Sequence, residues 1–163
     1  MQFVQFTRVT LLLLLFVTAE SYAQGGTLGN PQLENARALI QATQEALIRN
    51  DLRLTSDEEA AFWPLWEEYR AATLPIRDRY VLLIAEYLRR YDAGTLDDAY
   101  AAEVLDAYFE IKIGLLETRE SFIDRFAENL PMLKVARFYQ LENKLTADVD
   151  AEIALIVPLF EAP

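Results

Sequence analysis

The chain has 163 residues, with 26 acidic against 15 basic side chains, and it contains neither cysteine nor histidine. This composition excludes disulfide bonds, thiol and imidazole nucleophiles, and imidazole metal sites. The net charge of −11 disfavours nucleic acid as a partner, because affinity for nucleic acid comes largely from Lys and Arg on phosphate.

The first 23 residues have the pattern of an export signal. Arg8 precedes a short apolar run, Val9–Val17, and a small-residue cleavage site ends at Ala23. The run is shorter than the about 20 residues that span a bilayer. We therefore predict a signal peptide over residues 1–23, cleaved after Ala23, and a periplasmic mature protein that is not inserted in the membrane. An uncleaved anchor and a short buried helix are the alternatives. Residues 24–30 are predicted as a flexible Gly-rich segment.

Residues 31–163 are predicted to form a single all-helical domain. Apolar residues recur there every three to four positions, and only two glycines remain, Gly94 and Gly114. Asn30 stands before a proline, as an N-cap does, and the first helix is expected to end near Asn50.

The second helix is predicted to begin with a capping box and to run to about Asp92. Thr55 is its N-cap, and Glu58 closes the box. Pro64 and Pro75 fall inside the helix on one face, opposite an aromatic stripe, so their bends should add and leave the stripe on the concave side. The alternative is that a proline splits the segment into two shorter helices.

The aromatic stripe of the second helix follows heptad spacing, which is typical of a packing seam. The apolar run Tyr80–Ala85 covers every side of the helix, which is more than one neighbouring helix can bury. Central burial in a monomer and a dimer seam both explain the run, and an exposed binding patch is a third interpretation. The side chains predicted to contact a client or partner are Phe62, Trp66, Tyr69, Tyr80, Leu83, Ile84 and Tyr87.

The third helix is predicted to begin at Thr95 and to carry its apolar stripe through Phe126. The fourth helix is expected to start at Pro131 and to end at Pro158. Because the connections are short, neighbouring helices should be antiparallel. The predicted fold is an all-α, four-helix extended antiparallel hairpin with a long kinked second helix, assembled as a curved homodimer.

No group of residues favours catalysis. The acids at 57–59 and at 67–68 could bind a hard cation, but adjacent helical acids diverge around the helix and are interpreted as a cap or a solvated face. Basic residues beside glutamates on the second and fourth helices are interpreted as surface ion pairs, with a mixed-charge groove as the alternative. We predict no enzyme activity, no cofactor and no metal.

The residues quoted so far resemble a known group of periplasmic proteins. An export signal, a helical chain without cysteine and the helix start Leu54-Thr55-x-x-Glu58 resemble the Spy/CpxP group, whose members carry LTxxQ signatures at helix starts. The segments FWPLWEEY (62–69) and KVARFYQLENKL (134–145) are similar to a branch of small exported proteins with that layout. Glu58 stands where the signature has Gln, and either side chain closes a capping box.

This resemblance has consequences for fold and function. It implies a curved antiparallel dimer of helical hairpins that acts in envelope stress. Members of the group act as ATP-independent chaperones, or as accessory inhibitors of envelope-stress signalling. We therefore predict a chaperone that binds unfolded proteins, with a regulatory module that binds an envelope sensor or an anti-sigma partner as the alternative. The second signature is replaced here by LPMLK at 130–134, and the histidine ligands of metal-sensing members are absent.

Overall fold

The computed structural model describes residues 31–160, with side chains described at Ala38 and from Gln41 onward. The predicted signal peptide, its cleavage after Ala23, the segment 24–30 and the Asn30 cap lie outside the described residues. Within the described range all regular secondary structure is helical, which confirms the predicted all-α class.

Four long helices and one short helix make up the described chain. Their bounds are α1 Pro31–Leu52, α2 Ser56–Asp92, α3 Asp98–Ser121, α4 Ile123–Ala127 and α5 Met132–Ile156. The chain forms two compact units: one comprises residues 52–142, and the described part of the other comprises residues 31–51 and 143–160. None of the helices in the described range is both long and apolar enough to cross a membrane.

The predicted capping box is present at the start of α2. The hydroxyl of Thr55 accepts a hydrogen bond from the backbone N–H of Glu58, at 3.4 Å, and the Thr55 N–H donates to Glu58 Oε2, at 2.7 Å. Three acids in the first turn also stabilise this end, because negative charge interacts favourably with the N-terminus of a helix.

Helix α2 is continuous through both of its prolines, and it is bent. Pro64 and Pro75 are exposed, whereas Phe62, Trp66 and Tyr69 are buried. The prolines therefore lie on the face away from the aromatic stripe, as predicted. Their missing N–H groups and their rings face solvent, so neither proline divides the segment into two helices.

The buried face of α2 departs from the predicted heptad seam in the second half of the helix. Phe62, Thr73 and Ile84 are buried and lie 11 residues apart, whereas Tyr80 and Leu83 are only half-buried. A straight α-helix has 3.6 residues per turn, so a 3.5-residue pattern drifts around it, whereas an 11-residue step nearly closes three turns. The buried face consequently passes to Ile84, where the heptad pattern had indicated Leu83.

The connection from α2 to α3 combines a glycine stop with a new cap. Gly94 has a φ of 63°, in the left-handed region that glycine adopts without strain. The cap of α3 is Asp97, whose carboxylate accepts from the N–H of Tyr100 at 2.8 Å, and the prediction of Thr95 is wrong. The Thr95 hydroxyl instead donates to the carbonyl of Arg90, at 3.3 Å, because it lies too close to the end of α2 to cap the next helix.

The last turn of α2 carries a compact charge cluster. Both Arg89 and Arg90 donate hydrogen bonds to the carboxylate of Glu86. These hydrogen bonds, first that from Arg89 and then that from Arg90, lower the pKa of Glu86 to about 2. Basic residues near a helix C-terminus also interact favourably with its last carbonyls.

Several side-chain contacts join the second half of α2 to α3. Arg90 lies over the ring of Tyr100, at 4.1 Å from its centroid, near the connection. Farther from it, Arg79 pairs with Glu110 at 2.9 Å. Positions that rise along α2 thus meet positions that fall along α3.

The predicted third helix is interrupted at its end. The N–H of Phe122 bonds to the carbonyl three residues earlier, that of Arg119, at 3.3 Å, and the helix resumes at Ile123 as α4. A tightened turn rotates the residues that follow it. Phe122, at the interruption, and Phe126, in α4, were predicted to continue one stripe, and both are buried.

An aromatic core joins α2, α4 and α5 within residues 52–142. Phe138 of α5 is fully buried, and its ring centroid lies 4.9 Å from Phe126, 5.5 Å from Tyr69 and 5.6 Å from Phe62. Most of these pairs are edge-to-face or tilted, an arrangement that contributes about 0.5–1.5 kcal/mol per pair beyond area burial. The core therefore holds α2, α4 and the first part of α5 together.

Candidate interaction surface

Most of the side chains predicted to contact a client lie in the interior of the fold. Five of the seven are no more than 6% exposed, whereas Tyr80 and Leu83 are half-buried. The five are Phe62, Trp66, Tyr69, Ile84 and Tyr87. In this conformation they contact other residues of the chain, so a client-binding role for them stays a prediction and requires the helices to separate.

Tyr80 is covered in part by α3. Its ring centroid lies 6.1 Å from that of Tyr108, and the Lys112 ammonium lies 4.4 Å above the Tyr80 ring. A cation over an aromatic face is attracted by the electron-rich ring. The apolar run at 80–85 therefore has a neighbour within its own chain on this side.

The helix-cap signature serves to join two segments of the chain. Leu54 is half-buried beside the box, and Lys134 Nζ lies 2.5 Å from Glu58 Oε2 and 3.1 Å from the carbonyl of Arg53. The hydrogen bond from Lys134, and next that from the Thr55 backbone, lower the pKa of the Glu58 carboxyl. Two of the three segments that carry the family resemblance, 54–58 and 134–145, thus meet here at a structural contact.

A buried polar group connects α2 with α5. The Tyr69 hydroxyl donates to Glu142 Oε2 at 3.0 Å, and an Arg77 amino group lies 2.8 Å from the same oxygen. Burial, and next the Glu142 charge, raise the pKa of Tyr69 far above its ordinary value. The tyrosine is therefore a neutral donor whose bond is already made, and the group stabilises packing.

Sequence reasoning had grouped Glu142 with surface ion pairs, and its burial, at 4% exposed, corrects that interpretation. The available signal was its position four residues after Phe138, which places both side chains on the same side of α5. A buried carboxylate needs a paired cation and hydrogen bonds, and Arg77 and Tyr69 provide them.

Three of the acidic residues that could bind a cation pair with basic side chains, and one of the three is Glu58, which pairs with Lys134. Glu67 pairs with Arg70 at 3.0 Å, and Glu68 pairs with Arg125. Across residues 31–160, in the parts where side chains are described, no three carboxylates group closely enough to hold a metal ion.

The outer face of α3 carries a row of exposed apolar side chains, here called the outer stripe. The outer stripe consists of Leu105, Phe109, Ile113 and Leu116, which are 56%, 57%, 53% and 63% exposed. They follow one another at steps of four, four and three residues, so they share one face of the helix. A row of large exposed apolar side chains marks an interaction surface more often than an isolated one does.

The opposite face of α3 is the packed one. Tyr100 and Ile111 are buried there, on the face that the sequence pattern had indicated. The apolar stripe that the sequence pattern predicts for this helix includes Val104, Tyr108, Ile111 and Leu115. Sequence reasoning missed the outer stripe, although each of its members follows one of these residues by one or two positions. An apolar stripe on both faces of a helix is the signal that would have identified it.

Comparisons with known proteins add no assignment to this geometry. No family model, no curated protein sequence and no solved structure matches the chain. The resemblance to the Spy/CpxP group stays a prediction, and the outer stripe rests on its geometry alone.

Proposed function

We propose that this protein is a periplasmic, envelope-stress-associated chaperone that holds unfolded proteins without ATP through the outer stripe of α3. The observation that carries the proposal is the exposure of four large apolar side chains on one helix face. The export signal and the lack of cysteine and histidine support this role, since they fit an exported protein that acts through its surface.

The outer stripe has the properties needed for weak and reversible binding. Each of its side chains is about half exposed, so covering one contributes on the order of 1 kcal/mol. A few such contacts hold an apolar segment of a client while letting it leave without an energy source. Tighter binding would require a larger patch or polar contacts that fix one orientation.

The proposal includes the architecture that the sequence indicates. In it the chain is an extended antiparallel four-helix hairpin and pairs as a curved homodimer, with the aromatic stripe of α2 on the concave side. The bend of α2 and the exposure of Pro64 and Pro75 support this arrangement. The outer stripe then provides client contacts that need no opening of the core.

The test is suppression of aggregation of a model unfolded client by the purified protein. We expect the double variant Phe109→Ser/Leu116→Ser to lose most of the suppression. The matched control is Leu74→Ser/Leu133→Ser, which removes two exposed leucines from other helices. No suppression by the unaltered protein at several-fold molar excess, or equal losses in both variants, would refute the proposal.

The alternative is a regulatory module that binds one envelope sensor or anti-sigma partner. The short length of the outer stripe favours it, because 11 residues of helix span only about 16 Å. Crosslinking in the periplasm separates the two functions. One stoichiometric partner indicates the regulator, and many different captured proteins indicate the chaperone.

A further inference from the structure

The charges on α3 are distributed unequally around the helix. All six of its acidic residues are exposed: Asp98, Glu103, Asp106, Glu110, Glu117 and Glu120. Four of them, Asp98, Asp106, Glu117 and Glu120, lie within a quarter turn of Phe109 around the helix. The last three are also within four residues of an outer-stripe side chain, and they are here called the acidic rim. One edge of the outer stripe is therefore bordered by negative charge.

The two basic residues of α3 are directed toward tyrosines of the packed side. The Lys112 ammonium lies over the rings of Tyr80 and Tyr108, at 4.4 Å and 5.5 Å, and the Arg119 guanidinium lies over Tyr139, at 5.7 Å. Both are less exposed than the acids of the same helix. Lys112 and Arg119 lie within a quarter turn of Phe109 on the side away from Asp106 and Glu117. One edge of the outer stripe is therefore acidic, and the cations of the other edge are held over tyrosine rings.

We propose that the outer stripe and the acidic rim together select polypeptide segments in which apolar residues are flanked by Lys or Arg. Apolar side chains of such a segment cover the outer stripe, while its cations approach the rim carboxylates. Complementary charge raises the rate of encounter and disfavours acidic segments. This inference rests on the proposed function, because it defines which clients or partner segments that surface accepts.

A second copy of this chain fits the surface poorly. It carries the same net charge of −11, and like charges facing each other are unfavourable. The outer stripe also offers four side chains, against about 20–30 residues a side in a standard stable interface. A short cationic segment is attracted by the acidic rim, and it is small enough to bind to four side chains.

The test uses two synthetic amphipathic peptides of about 18 residues, long enough for five helical turns. Both place leucine on one face, and the other face carries lysine in the first peptide and glutamate in the second. Binding is measured by fluorescence anisotropy with the purified protein. We expect the lysine peptide to bind at least about tenfold more tightly, and to weaken as salt is added. Equal affinity for both peptides would overturn the proposal.

Two sets of variants locate the binding. Asp106→Asn/Glu117→Gln/Glu120→Gln removes the acidic rim and should reduce the preference for the lysine peptide several-fold. Asp92→Asn/Glu128→Gln/Asp148→Asn makes the same change in net charge at exposed positions on other helices and on the turn after α4. Equal effects of the two variants would mean that net charge alone attracts the peptide, which contradicts the proposal.

The remaining outcomes separate this inference from the proposed function. Suppression of aggregation for acidic and basic clients alike, unchanged in the rim variant, would leave the chaperone standing and overturn the selectivity. Selective peptide binding without any suppression of aggregation would support the proposed selectivity of the surface and refute the chaperone function. Self-association by light scattering that Phe109→Ser/Leu116→Ser abolishes would make a second copy the occupant and overturn the inference.

Discussion

Lys134 Nζ lies 2.5 Å from Glu58 Oε2, and so the first turn of α5 is joined to the box that begins α2. The same oxygen accepts the N–H of Thr55 at 2.7 Å. One carboxylate therefore closes a helix start and also fixes a residue that follows it by 76 positions in the chain.

This link should be sensitive to acid. Because the pKa of Glu58 is lowered in the fold, its contribution to stability is present above the pKa it has in the unfolded chain and is lost as pH falls through its folded value. Glu58→Gln keeps an acceptor for the Thr55 N–H but removes the charge. We expect the variant to lose less stability than the unaltered protein between about pH 7 and about pH 3.

Urea unfolding at the two pH values measures this difference, and Lys134→Met should reproduce it from the other partner. An unchanged loss in both variants would show that the ion pair makes no contribution. Thr55→Ala is a separate control for the cap, with an expected cost of about 1 kcal/mol at neutral pH.

Replacing a phenylalanine by alanine should lower the free energy of unfolding much more in the aromatic core than in the outer stripe. Phe138 is fully buried among three aromatic rings, so Phe138→Ala should cost about 3–5 kcal/mol. Phe109 is 57% exposed, so Phe109→Ala should change the free energy of unfolding by no more than about 0.5 kcal/mol. Chemical denaturation measures both values. A large cost at Phe109 would mean that the outer stripe is buried in the folded protein.

The sequence was sufficient for the elements whose signals are local. The capping box at Thr55, the glycine stop at Gly94 and the inclusion of Pro64 and Pro75 in one helix face each depend on a few neighbouring residues, and the structure agrees with all three. Local backbone chemistry determines such features before any tertiary contact forms.

Features that depend on the geometry of a whole helix or on distant residues were harder to predict from the sequence. Whether Leu83 or Ile84 lies on the buried face depends on the number of residues per turn in α2, which a heptad pattern only approximates. The cap at Asp97 and the interruption at Phe122 depend on where a neighbouring helix ends or packs. The outer stripe was missed because a set of apolar residues does not show which of its two faces the fold will bury.

Ionisation of Tyr69 should contribute to unfolding of the protein at alkaline pH. Its pKa is raised in the fold, so the stability it contributes is fully present below its unfolded pKa of about 10 and is lost as pH rises toward its folded value. Tyr69→Phe removes this dependence and also removes a hydrogen bond, at a neutral-pH cost of about 1 kcal/mol.

Denaturation at neutral pH and above about pH 10 tests this expectation. Tyr139→Phe should behave similarly, because burial raises the pKa of Tyr139 to about 12 and its hydroxyl donates to the Arg119 carbonyl at 2.6 Å. An alkaline unfolding transition that is the same in both variants as in the unaltered protein would contradict the role of these two tyrosines.

The proposed dimer can be tested at a half-buried position of α2. If Leu83 contributes to a subunit seam, Leu83→Asp places a charge there without a partner and should convert the dimer to a monomer. Ala72→Asp, on an exposed part of the same helix, is the control. Size-exclusion chromatography with light scattering measures both at a concentration on the order of 50 µM. A monomeric unaltered protein would remove the dimer from the proposal.

Within the described residues, every resolved pKa shift takes the pKa of the group farther from pH 7. The carboxyl groups of Glu58 and Glu86 titrate at lower pH than usual, the tyrosines at higher pH, and histidine is absent. These groups therefore keep one charge state around pH 7. In a protein proposed to work outside the cytoplasm, where acidity follows the surrounding medium, moderate changes near neutral pH would leave their ion pairs and hydrogen bonds in place.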